Sequence, residues 1–222
     1  MHLYFYDYLT LATFLASLFV FANKPVPLYL KLFPVYFFLV IIFGMITEYR
    51  AYHGQHTTDI GNVWSILEFC FYFFIIHQNV VNVKARRIIL FIIFIYGFFA
   101  FINFIFIQKK GGLNPTNFAI GSLIVVSLCI YYFSELFRKS DAVSLARLPS
   151  FWIISGIMFN NVAFFPINSL EFFMIEWTRT NYKKYQVIFE NLGMISNLII
   201  LLTFLLFSIG FTCRIRISKS IL

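Results

Sequence analysis

The chain has 222 residues, 61% hydrophobic and 22% aromatic with only 12% charged, and its mean hydropathy is +0.84. A water-soluble domain carries about twice that charged fraction, and one soluble core cannot hide so much apolar surface, so a bilayer is the alternative solvent. The net charge of +8 comes from Lys and Arg placed in short breaks between apolar runs, a pattern of membrane topology and not of a phosphate-binding face, which excludes nucleic acid as a partner.

Taken in chain order, seven apolar runs approach or reach the length of a membrane-spanning helix, about 20 residues for a hydrocarbon core of about 30 Å. The first, Tyr4–Ala22, has neither a basic stretch before it nor a small-residue cleavage site, and reads as a retained span, not a signal peptide. NKPVP ends it, and Leu30–Thr47 follows, bounded by GQHTTDIGN. Val63–His77 is the shortest, with room to extend back through Asn62 and Gly61. Ile88–Ile107, Thr116–Phe137, Pro149–Ile167 and Val187–Cys213 complete the set, separated by Pro, Gly and charge clusters such as KKGGLNP and KSDAVSLARLP. Run length and the lack of sustained alternation predict helices, not strands. The expected fold is an all-α integral membrane protein, a single domain over residues 1–222 built as a bundle of seven transmembrane helices.

Eleven Lys and Arg lie in the breaks after runs one, three and five and in the C-terminal tail, against six at the N-terminus and in the other breaks. That bias predicts an N-terminus outside and a cytoplasmic C-terminus. Between the last two runs, segment 168–186 places Leu170, Phe173, Met174 and Trp177 at helical spacing, which predicts an interfacial helix on the outer surface, or an extension of run six kinked at Pro166. Trp64 and Trp177 then mark the outer interface and Trp152 the inner one.

With this topology the polar residues collect toward the outer side: Glu48 and Arg50 ending run two, Asn62 and Glu68 in run three, Asn103 in run four, Asn160 and Asn161 in run six, and Glu190, Asn191 and Asn197 in run seven. A carboxylate or amide facing lipid costs about 2.5–3.5 kcal/mol, so these groups are expected to face the bundle interior. Trp64, Glu68 and Tyr72 run at i, i+4, i+8, Gly44 and Gly156 stand four residues before Glu48 and Asn160, and Glu190 and Asn197 share a face. The expectation is an outward-opening polar cavity with Glu68 at its floor. The competing reading is that the amides are helix-to-helix glue, at about 0.6 kcal/mol each, and that Glu48 with Arg50 is a solvated helix end. Near the inner end, Glu135 and Arg138 are spaced for an i, i+3 ion pair.

Other chemistry finds little support. Cys70, Cys129 and Cys213 are far apart, with no metal-ligand spacing. His53, His56, Asp59 and Glu48 fit a solvated loop better than a metal site, and no metal or cofactor is implied. Span seven has no lysine for a retinal Schiff base, and no phosphate loop or serine-nucleophile elbow occurs.

Glu48 ending span two, the N-x-W-x-x-x-E start of span three (Asn62, Trp64, Glu68), the Pro149–Trp152 PSFW opening of span six, and an Asn-bearing last span with a basic tail are the distinguishing features. In these the chain resembles a group of small, uncharacterised seven-span inner-membrane proteins of Bacteroidetes-type bacteria. The resemblance implies a multi-pass protein of the cytoplasmic membrane and no particular activity. Alkaline-ceramidase-type hydrolases also have seven spans, but their zinc ligands find no counterpart here. The preferred function is therefore non-enzymatic: a small ligand or lipid headgroup held from the outer side, or a subunit of a membrane complex with a protein partner in the bilayer. The alternatives are a lipid-acting enzyme with Glu68 as acid/base, assisted by Glu48 or Glu190, and a proton-coupled transporter.

Overall fold

A computed structural model describes the backbone of residues 5–22, 26–107, 114–138 and 145–220, with side chains except at 5, 22, 107, 169–190 and 214–220. The described residues are helical, with no strand among them. The helices are α1 (Phe5–Leu18, continued by a 3-10 turn Phe19–Ala22), α2 (Leu28–Tyr52), α3 (Thr58–Asn79), α4 (Val83–Ile102), α5 (Pro115–Arg138) and α6 (Pro149–Ser220).

Six stretches are long and apolar enough to cross a membrane: α2, α3, Val83–Phe106, α5 and two arms of α6, Pro149–Asn168 and Asn191–Cys213. The protein is a multi-pass helical bundle. The first expected span is shorter, Tyr6–Phe21, about 24 Å at 1.5 Å per residue against a core of about 30 Å. Two others are longer than their apolar runs. Helix α2 continues past Thr47 through Glu48 and Arg50 to Tyr52, and α3 starts at Thr58, ahead of Asn62. Backbone hydrogen bonding carries a helix on until a capping residue stops it, regardless of where hydrophobicity ends. For α2 the stop is Gly54, whose φ of 67° suits a residue without Cβ, with the Gln55 N–H donating to the Arg50 carbonyl at 2.9 Å.

A straight helix of 72 residues would be roughly 110 Å long. The ends of α6 instead lie side by side. A Cβ on Gly156 would stand 2.9 Å from the Phe207 ring, and one on Gly210 would stand 2.8 Å from Ile153 and 3.2 Å from the Pro149 carbonyl. The element therefore doubles back between its two arms, which run antiparallel. The amphipathic reading of 168–186, and with it Trp177, rests on side chains that lie largely outside those described.

Phenylalanine does much of the packing. Phe33 on α2 meets Phe71 of α3 at 5.3 Å and Phe207 and Phe211 of the second α6 arm at 5.4 and 5.2 Å, so one fully buried ring ties three helices. The excess of Phe, which in the sequence carries no functional signal, divides between this core and the outside. Helix α4 buries only Ile89, Tyr96 and Ala100, a single stripe, and turns Phe91, Phe94 and Phe98 outward at 65–69% exposure, the arrangement of a helix solvated by lipid.

At the end of the bundle opposite Asn62, Glu135 does not pair with Arg138. Its two carboxylate oxygens accept the backbone N–H groups of Val81 and Asn82, both at 2.9 Å, while Asn82 Oδ1 accepts those of Lys84 and Ala85. Together they satisfy the N–H groups of Val81, Asn82, Lys84 and Ala85 around the start of α4, a stronger demand on the carboxylate than a screened surface ion pair. Glu135→Ala is expected to destabilise the protein by about 1 kcal/mol and to loosen the α3–α4 turn. Faster hydrogen exchange at Val81 and Asn82, with Arg138→Ala leaving them unchanged, is the measurement that checks it.

Candidate functional site

The end of the bundle where α3 begins holds the polar residues, and they sort into three groups. The first surrounds a cavity of about 1320 Å³ between the start of α1, the last turns of α2, the start of α3 and the second arm of α6. Its walls include Tyr6 and Asp7 of α1, Phe43 and Glu48 of α2, Trp64 of α3 and Asn197. Gly44 also lines it, and a Cβ there would meet nothing within 4 Å; Gly44 therefore contributes open space, whereas Gly156 is a close helix contact. Glu48 is half-buried and, among the described residues, makes no hydrogen bond or ion pair. Arg50 is also half-buried but does not line the cavity. Residues two apart on a helix point about 200° away from each other, so the two do not form the pair their proximity in sequence invites.

The second group is centred on Glu68, which does not line the cavity. It sits one helical turn beyond Trp64, as Tyr36 sits one turn beyond Val40, and both Trp64 and Val40 are cavity residues. The Tyr36 hydroxyl donates to Glu68 Oε1 at 2.7 Å and the Tyr72 hydroxyl donates to the same oxygen at 2.6 Å, with the two hydroxyls 3.3 Å apart. The other carboxylate oxygen has no hydrogen-bond partner among the described residues. An aromatic ladder joins this cluster to the cavity. Phe43 meets Trp64 at 5.0 Å, Trp64 meets Tyr36 at 5.6 Å, and Tyr36 stacks on Phe71 at 4.4 Å and 3°. The expected cavity floor is thus made by Trp64 and Val40, because the tyrosines, one on each of two helices, hold the carboxylate below it.

The third group is a network of asparagine side chains between α3, α4 and α5. Asn62 Oδ1 accepts the Asn114 N–H at 3.1 Å, and the Asn103 amide donates to Asn114 Oδ1 at 3.2 Å and to Asn117 Oδ1 at 2.7 Å. Asn117 in turn donates to the Ala100 carbonyl at 3.2 Å, and the Tyr96 hydroxyl donates to the Asn117 carbonyl at 3.1 Å. Asn103 opens a π-helical turn, Asn103–Ile107, whose wider winding accommodates the amide on the neighbouring helix. Asn62 and Asn103 are 5% and 6% exposed; they act here as interhelical glue.

The remaining candidates are dispersed. Asn161 donates to the Ile157 carbonyl of its own helix at 2.8 Å, Asn160 is half-buried and Asn191 is exposed. The side chain of Glu190 lies outside those described. Among the described residues no three His, Cys, Asp or Glu converge as metal ligands, and no two of the three cysteines form a disulfide. Sequence reading missed Tyr36, Asp7, Asn114 and Asn117. For Asn114 a signal was there: Asn followed by Pro at the first helical position marks an N-cap, and Asn114 Oδ1 does accept the Asn117 N–H at 3.1 Å. For Tyr36 there was none, because one hydroxyl within an apolar run fixes no partner.

A scan against protein-family models and searches of curated proteins and of solved structures found no match to this chain.

Proposed function

We propose that this is a seven-span protein of a bacterial cytoplasmic membrane, with its N-terminus outside and its C-terminus in the cytoplasm. In this reading its outward-facing cavity binds a small ligand or a lipid headgroup without transforming it. The observation that carries the binding role is the cavity itself, with Glu48, Asp7 and Asn197 set among aromatic walls at one end of an otherwise apolar bundle. Pockets that hold small molecules share this make-up, a mostly apolar concavity with a few converging polar groups. The first helix counts as the seventh span because it packs along both α2 and α6, so its shorter apolar length is set against protein on those sides. The orientation rests on the distribution of Lys and Arg.

Enzymatic and transport readings both require substrate or protons to reach Glu68. The cavity stops a turn short of it, at Trp64 and Val40, which favours binding over chemistry.

Two measurements test this. Tyr52, 88% exposed beside the cavity, is expected as Tyr52→Cys, in a background with the three native cysteines replaced, to react with a membrane-impermeant maleimide in intact cells. Arg147→Cys at the other end is expected to react only after lysis; the reverse pattern overturns the orientation. A Cβ on Gly44 meets nothing within 4 Å and Gly44 lines the cavity, so Gly44→Leu is expected to put its bulk into that space, fold as before and lose the lipid or small molecule that native mass spectrometry detects on the wild type. Equal retention by the two proteins refutes the cavity as the binding site.

A further inference from the structure

Among the described residues that line the cavity there is no Lys or Arg, while the acids Asp7 and Glu48 are there. An anionic ligand would meet the Glu48 carboxylate there. Asp7 has a structural reason for its place, since it stands in the first turn of α1, where the helix dipole favours an acid. Glu48 has none. It lies in the last two turns of α2, at the end where the dipole disfavours a negative charge, and it is half-buried without a hydrogen-bond or ion-pair partner among the described residues. The rings of Tyr6, Phe43 and Trp64 line the same cavity, and the faces of such rings attract cations within about 6 Å.

Resting on the binding role proposed above, we infer that the ligand of this cavity carries an ammonium group, quaternary or primary, seated between Glu48 and the aromatic walls. The cavity, at about 1320 Å³, exceeds the ~300–1,000 Å³ of most small-molecule pockets. Val40, Met45 and Ile60 add apolar wall, so an apolar body or acyl portion attached to the cation is accommodated as well. A free amine and the headgroup of an aminolipid share this chemistry.

The test uses the full chain in nanodiscs of phosphatidylglycerol, a lipid without an amine. Binding of choline is followed by tryptophan fluorescence, with Trp64→Phe assigning the signal to the cavity. The neutral isostere 3,3-dimethyl-1-butanol and inorganic phosphate serve as comparison probes. Choline is expected to bind at least about tenfold more tightly than the isostere, and Glu48→Gln is expected to remove that difference while leaving the isostere's affinity unchanged. Doping the discs with phosphatidylethanolamine or phosphatidylcholine separates the two sources. Glu48-dependent retention of those lipids, with free choline inert, assigns the ammonium to a headgroup; choline binding without lipid retention assigns it to a free amine.

Equal affinity for choline and the isostere, unchanged by Glu48→Gln, overturns the cation assignment and leaves the cavity as a binding site. Phosphate binding strengthened by Glu48→Gln overturns it too. Failure of every probe and lipid to bind, with Gly44→Leu indistinguishable from wild type, overturns the binding role and the inference with it.

Discussion

Glu68→Ala is expected to lower the stability of the protein by about 1–3 kcal/mol, because two tyrosine hydroxyls lose their shared acceptor at once. Tyr36 and Tyr72 are 7% and 2% exposed, and both donate to Oε1, so neither hydroxyl has water to turn to. Hydrogen bonds inside a membrane are worth about 0.6 kcal/mol on average and up to about 1.7, since the helices find other partners when they separate; two on one carboxylate give the range stated. Glu68→Gln keeps an acceptor oxygen and should restore most of the loss. Replacing all three side chains together (Tyr36→Phe, Tyr72→Phe, Glu68→Leu) should cost less than the sum of the single changes, because no unsatisfied group remains. Unfolding in mixed micelles, followed by circular dichroism, measures each variant. If glutamine proves as damaging as alanine, Glu68 matters for more than accepting these two bonds.

Gly121→Val should be at least as damaging, at about 3 kcal/mol. A Cβ on Gly121 would stand 2.7 Å from the Phe69 ring, inside any real contact distance. Phe69 cannot withdraw, being 2% exposed and held by Tyr96 at 5.7 Å and Phe118 at 5.5 Å. Small residues at such crossings let helix backbones approach closely where lipid supplies no hydrophobic drive between helices. Gly44→Ala is the control: nothing lies within 4 Å of its Cβ, and removing a helical glycine there should be neutral or stabilise by up to about 1 kcal/mol. A Phe69→Ala background should relieve much of the valine's effect. Additive losses in that double variant would mean that Gly121 is required for some reason other than room for the ring.

Asn103 shows how far a polar residue can be read in sequence. Its place in an apolar run said that it faces protein, because an amide in hydrocarbon is costly, and its role as glue was open from the start. Its partners Asn114 and Asn117 lie in what reads as the next break and its following helix start, and nothing in the spacing says which side of α5 turns toward α4. Glu135 is similar. The i, i+3 spacing to Arg138 was visible, while the Val81 and Asn82 amides that Glu135 binds, 54 and 53 residues earlier in the chain, were not. Glu48 and Glu68, twenty residues apart in one expected cavity, separate because Tyr36 and Tyr72 take Glu68 out of it.

The sequence by itself determined the solvent and the architecture. Helical runs of this apolarity belong in a bilayer, where a chain must satisfy its own backbone, so composition and run length suffice for a multi-pass helical bundle and for the separation of its polar residues from lipid. Only the tertiary structure decided which acid is held by tyrosines, which one faces the cavity, and which glycines are contacts and which are space. Those outcomes depend on the rotation of each helix about its axis and on its neighbours, and a lipid-facing helix packs by close van der Waals fit and hydrogen bonding, which hydropathy does not record.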